Sequence, residues 1–155
     1  MPIAKNLQKI LDGNKIKYKV NEHRKVFTAF DATQTQHLKL AEVAKAVLVK
    51  GKKDLYLAVL PAGSYCDFKA LGELAADKLS MAKEKDIIQN LKTKVGLISP
   101  FGSIYKIKIF LDKKLVKNKK IRLPAGTYTA SVELSVKDYI KLEQPILGSF
   151  SIKKG

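Results

Sequence analysis

The residues with the most chemical character lie in one short stretch, Gly96, Leu97, Ile98, Ser99, Pro100, Phe101 and Gly102. Gly96 is free to take a positive φ and lets another group come close to the backbone. Pro100 fixes its own φ and drives Ser99 toward extended geometry. Gly102 frees the chain to turn into a following strand. Such a loop holds bare N–H and C=O groups in a fixed array. Groups of this kind bind a carbonyl, an amine or an oxyanion without a charged side chain. A plain turn between a helix and a strand carries the same punctuation, and the loop by itself leaves both readings open.

Lys45 is the second candidate. It stands among Ala44, Ala46 and Val47 at the start of an apolar run. A lysine there either snorkels at a strand edge or points into a pocket. Other chemistry is poorly represented. Cys66 is the single cysteine, so an internal disulfide and a cysteine-clustered zinc site are excluded. Asp67 beside it opposes thiolate formation, which makes Cys66 a structural residue. His23 and His37 have no acidic or cysteine partners at ligand spacing, so no metal site is expected. Gly51-Lys52-Lys53 lacks the spacing of a phosphate loop, Gly63 and Gly72 are too isolated for a dinucleotide site, and no Gly-x-Ser-x-Gly occurs. No cofactor is expected.

The charge balance is the strongest compositional fact. Thirty basic residues against 14 acidic ones leave a formal net charge of +16. That surplus draws polyanions and releases their counterions on binding. Nearly all of it is lysine, a flexible point charge better suited to holding phosphates than to reading bases. A nucleic-acid backbone is therefore the expected partner. No apolar run approaches the ~20 residues of a membrane span, and the lone cysteine fits a reducing cytoplasm.

The elements that must position these groups are readable from periodicity. Ile3, Leu7, Ile10 and Leu11 recur at helical spacing, and Gly13-Asn14 stops the run. Residues 16–20 alternate as a strand. Thr28 opens a short helix to about Gln36 as its N-cap. Residues 42–50 and 55–60 form two strands of a hairpin around Gly51 to Asp54. Asp67 caps a helix with Phe68, Leu71, Leu74 and Ala75 inward. Residues 79–82 are extended, and a lysine-rich helix over 83–92 turns Ile87, Ile88 and Leu91 inward. After the glycine–proline loop, residues 104–110 alternate as a strand, and Asp112 to Lys114 turns the chain. Strands at 121–123 and 128–134 flank Pro124-Ala125-Gly126. Ser135 opens a helix to about Leu142, and 148–153 is a last strand. With 155 residues, the chain is expected to be one domain over 1–155, mixed α+β, with a mixed, mostly antiparallel sheet flanked by short helices.

Four segments, taken in order, resemble the YbaK/ProX family of aminoacyl-tRNA deacylases, related to the editing domain of prolyl-tRNA synthetases. They are His23 with Val26-Phe27-Thr28-Ala29; Val43-Ala44-Lys45-Ala46-Val47-Leu48; Gly96 to Gly102; and Ala125-Gly126-Thr127-Tyr128 leading to Leu134-Ser135 and Asp138. The resemblance covers about residues 20–142. It implies a mixed-sheet fold and hydrolysis of the ester between a mischarged amino acid and tRNA, a small amino acid on tRNA(Pro) or a related tRNA. Lys45 matches the family's functional lysine, and Gly96 to Pro100 its substrate loop. The implied catalytic set is Lys45, Gly96 and Pro100. His23, Thr28, Leu97, Ile98, Ser99, Phe101, Gly102 and Tyr128 are implied to contact substrate.

An aminoacyl ester is already activated, so the implied mechanism needs an aligned water and a held oxyanion, with no enzyme nucleophile. The terminal ribose hydroxyl of tRNA assists in the family. Lys45 would hold the terminal phosphate or stabilise charge near the ester. Partners implied are the tRNA acceptor end and an aminoacyl-tRNA synthetase. One departure stands out: many members carry a histidine where this chain has Tyr128, and a phenol is a poor base near neutral pH. The alternative it keeps open is a non-catalytic tRNA-binding or synthetase-associated domain of the same fold.

Overall fold

The computed structural model describes residues 3–22, 42–93, 97–127 and 129–153. In chain order the elements are α1 (Lys5–Gly13), β1 (Tyr18–Glu22), β2 (Ala44–Lys50), β3 (Leu55–Pro61), β4 (Ser64–Cys66), α2 (Phe68–Ala75), β5 (Ser80–Met81), α3 (Glu84–Leu91), β6 (Lys108–Asp112), α4 (Lys113–Val116), β7 (Lys120–Pro124), β8 (Ala130–Ser135), α5 (Val136–Glu143), β9 (Ile146–Gly148) and β10 (Ser151–Lys153). The helix expected to open at Thr28 lies outside the described residues.

A five-stranded sheet in the order β5-β2-β3-β6-β9 forms the centre. Its β2–β3 hairpin is antiparallel, in the register Lys45 with Leu60 and Leu48 with Leu57. β6 runs parallel to both β3 and β9. A second, antiparallel sheet has the order β1-β8-β7, and a bridge between Val43 and Arg122 joins it to the first. β10 and β4 form a small antiparallel pair. The fold is thus mixed α+β with mostly antiparallel pairing, as the sequence pattern predicts.

The unbroken apolar run of β3 follows from burial on both faces, because successive strand residues point to opposite sides. Leu57 and Val59 join Ala44, Leu48, Ile109 and Leu111 in one core, closed by α1, α3, α5 and the second sheet. Tyr56, Ala58 and Leu60 join Val49, Phe110, Leu71 and Phe150 in another. Two capping readings hold. Asp67 accepts from the Lys69 and Ala70 amides to start α2, and the Ser135 hydroxyl accepts from the Asp138 amide at 3.0 Å to start α5.

Other expectations are corrected. The strand at 104–110 begins only at Lys108, because Gly102 to Ile104 closes a 3₁₀ turn first. The Gly102 carbonyl accepts from both the Tyr105 and Ile107 amides, and Lys106 takes a left-handed φ of 58°. Together these end the alternation predicted from Ile104. Asp112 starts a one-turn helix by accepting from the Lys114 amide, where a plain turn was expected. The expected last strand is two short ones, β9 and β10. Leu74 and Ile88, predicted inward, are 39% and 49% exposed. Each stands at the margin of its helix's apolar stripe, and the buried apolar positions are Leu71 on α2 and Ile87 and Leu91 on α3. Among the described residues, no helix is long and apolar enough to cross a membrane.

Candidate active site

The loop from Leu97 to Gly102 is buried, not a surface turn. Ile98, Ser99, Pro100, Phe101 and Gly102 are all buried, and Leu97 is half-buried. Ile98 and Phe101 sink into the core shared with α1 and α5. Gly102 is required for packing: a Cβ there would lie 2.5 Å from both the Ile107 carbonyl oxygen and Ile109 Cγ1. Its role is close approach, and not the freedom to turn that the sequence suggested.

Side chains from outside the loop hold its backbone. The Ser99 amide donates to the Tyr105 hydroxyl at 3.0 Å. The Tyr139 hydroxyl, fully buried on α5, donates to the Pro100 carbonyl, and the rings of Phe101 and Tyr139 meet edge-on with centroids 5.5 Å apart. One helical turn later, Glu143 accepts from the Ser103 amide at 2.9 Å and from Ser103 Oγ at 2.6 Å. Burial raises the Glu143 carboxyl above the usual range, against the two Ser103 hydrogen bonds that lower it. Burial also pushes the Tyr139 phenol well up, with the Glu143 charge adding to it. Within this scaffold Ser99 is 3% exposed, and its Oγ has no hydrogen-bond partner among the described residues. A buried hydroxyl without a partner costs roughly 1–3 kcal/mol.

Lys45 lies on β2 and is half-buried. Its pairing with Leu60 puts it on the sheet face carrying Val47, Val49 and Leu60. Cys66 packs against that core, and the Lys45 ammonium acts electrostatically on the Cys66 thiol. Burial, then the Asp67 charge, outweigh it and push the thiol up to about 11. Cys66 therefore holds its proton at neutral pH and is no nucleophile. Ile98 and Phe101 belong to the other core, which takes Ala44, Leu48, Leu57 and Val59 from the opposite face of β2 and β3. The structure thus gathers Leu97 to Gly102 into one unit, and Lys45 stands on the face of β2 that carries the other core. Gly96, His23, Thr28 and Tyr128 lie outside the described residues. Gly126, beside Tyr128, holds φ +82°, a backbone state natural to glycine.

Residues 23–142 match the family described as the aminoacyl-tRNA editing domain. The chain belongs to this editing-domain family. It is 28% identical over 139 residues to the prolyl-tRNA editing protein ProX of Acetoanaerobium sticklandii, covering 85% of each chain. Among solved structures, a hypothetical protein superposes with a TM-score of 0.89 at 16% identity, over 96% of this chain and 100% of its own. A candidate trans-editing enzyme for prolyl tRNA synthetase superposes with a TM-score of 0.81 at 19% identity, over 99% of each chain. These structural matches establish that the editing domain has their fold. The sequence pattern missed Tyr105, Ser103, Tyr139 and Glu143 as supports of the loop. The Ser135 cap fixes the phase of α5 and so puts Val136, Tyr139 and Glu143 on one face, but no local signal says that this face meets residues 100–103.

Proposed function

We propose that this protein is an aminoacyl-tRNA deacylase acting in trans. It hydrolyses the ester of a mischarged tRNA, with a small amino acid on tRNA(Pro) or a related tRNA as substrate. The observation that carries the reading is the buried, hydrogen-bonded loop at 97–102 inside a span that matches the editing-domain family.

In this reading water attacks the ester carbonyl and the ribose oxygen departs with the proton that balances it. The loop supplies oriented backbone groups and the Ser99 hydroxyl to align the substrate. Preorganised donors are effective because they need no reorganisation as charge develops. Selection for small side chains would come from pocket size, since size excludes large ones more easily than small ones. Lys45 holds a phosphate of the acceptor end. Half-buried on β2, it suits this role, because lysine holds a phosphate as a point charge. The lysine-rich surface binds the acceptor stem through its phosphates.

The test is hydrolysis of alanyl, cysteinyl, seryl and prolyl esters on tRNA(Pro). Preferential loss of one small, non-cognate ester supports the proposal. Salt-sensitive tRNA binding with no hydrolysis of any ester points instead to the non-catalytic tRNA-binding reading that Tyr128 raises, with Tyr128→His as the next variant.

A further inference from the structure

The last helix carries two side chains that reach the candidate substrate loop, and nothing in the reaction outlined above uses them. Tyr139 and Glu143 are one turn apart on the same face of α5. Tyr139 is fully buried, yet it spends its only proton on the Pro100 carbonyl and lays its ring against Phe101. Glu143 uses both carboxylate oxygens on one residue, the amide and the hydroxyl of Ser103. The helix that bears them is itself fixed at its start by the Ser135 cap and by Val136 in the core. The loop is therefore tied on both sides of Phe101 to one rigid element. An apolar side chain would fill the same core space as Tyr139, and a solvated lysine would suit the end of α5 better than a half-buried carboxylate, because cations are favoured at a helix C-terminus. Packing and helix stability alone do not call for these two residues.

We infer that Tyr139 and Glu143 are positioning residues, which set the backbone of Pro100 to Ser103 for catalysis without touching substrate. The role rests on the deacylase reading. A loop backbone misplaced by even a fraction of its hydrogen-bond length loses alignment with the ester, and such losses appear in turnover more than in tRNA binding.

The experiment compares Tyr139→Phe, Glu143→Gln and Glu143→Ala with wild type and with Tyr56→Phe. The control removes a hydroxyl from the other core, where among the described residues it meets Asp77 at 3.5 Å. Two readouts are taken. Native-state amide exchange at Ser103, with Val132 of β8 as the reference for an intact fold, reports the clamp directly. Deacylation kinetics on the most reactive ester report its consequence. Expected are faster Ser103 exchange in Glu143→Ala with Val132 unchanged, restoration in Glu143→Gln, and a kcat lowered ~10-fold in Tyr139→Phe and Glu143→Ala at unchanged KM, the rate equivalent of about one hydrogen bond. Tyr56→Phe keeps wild-type kinetics. Unchanged Ser103 exchange in Glu143→Ala overturns the clamp, and faster exchange with unchanged kcat overturns the positioning role. A wild type inactive on every ester tells against the deacylase reading, and the exchange arm then still decides whether α5 holds the loop.

Discussion

Replacing Lys45 separates its two possible roles. If the ammonium holds a phosphate, Lys45→Ala removes one charge-assisted contact, worth roughly 1.5–3 kcal/mol. At about 1.4 kcal/mol per decade, the loss is about 10- to 100-fold in tRNA affinity. The stem of Lys45 lies on the same sheet face as Val47 and Val49, so truncation also costs packing. Lys45→Met keeps most of the stem and isolates the charge. Both variants are expected to raise KM by that factor while kcat stays within about threefold. The slope of log affinity against log salt is expected to flatten by about 0.7, the contribution of one phosphate contact on a single-stranded end. Lys45→Arg restores part of the affinity, because the charge remains while its geometry changes. The assay is deacylation kinetics with tRNA binding measured across a salt series. A kcat lost at unchanged KM, with an unchanged salt slope, would refute the phosphate assignment and move Lys45 to the ester.

Other consequences concern stability and reactivity. Gly102→Ala is expected to destabilise by about 1–3 kcal/mol through overpacking against Ile107 and Ile109, read as a lowered urea midpoint. Gly126→Ala adds a side chain at φ +82° with its Cβ 2.9 Å from that of Ala4, and is expected to cost about 1–2 kcal/mol in the same assay. Glu143 has a raised folded-state pKa, so between its unfolded and folded values the native state binds more protons than the unfolded one. Stability is therefore expected to fall as pH rises through that window, and Glu143→Gln to remove this part of the pH dependence in denaturation series. Cys66→Ala is expected to leave deacylation unchanged, and alkylation of wild-type Cys66 to be slow at pH 7 because its thiol titrates at about 11.

Much of the fold is legible in local chemistry. Asp67 and Ser135 announce their helices because a carboxylate or hydroxyl accepts the orphan amides of a first turn. The β2–β3 hairpin follows from two β-rich runs around a short polar turn. The misses come from interactions between distant residues. Nothing near Ser64 to Cys66 reveals a strand, because its partner is β10, at Ser151 to Lys153. The alternation after Ile104 mimics a strand, but the packing of Gly102 against Ile107 and Ile109 forces a turn first. The candidate site divides in the same way. Gly96 to Gly102 and Lys45 stand out by residue type, whereas the sheet face that Lys45 takes depends on register. Tyr139 and Glu143 belong to the site only because tertiary packing brings α5 to residues 100–103.

The most direct test of the central claim is single-turnover loss of alanine from alanyl-tRNA(Pro), with wild-type protein in excess and with the spontaneous rate measured alongside. The account expects loss well above the spontaneous rate, and Gly102→Ala, which disturbs the loop, to slow it. A wild-type rate equal to the spontaneous one on this ester, and on the cysteinyl and seryl esters as well, would contradict it.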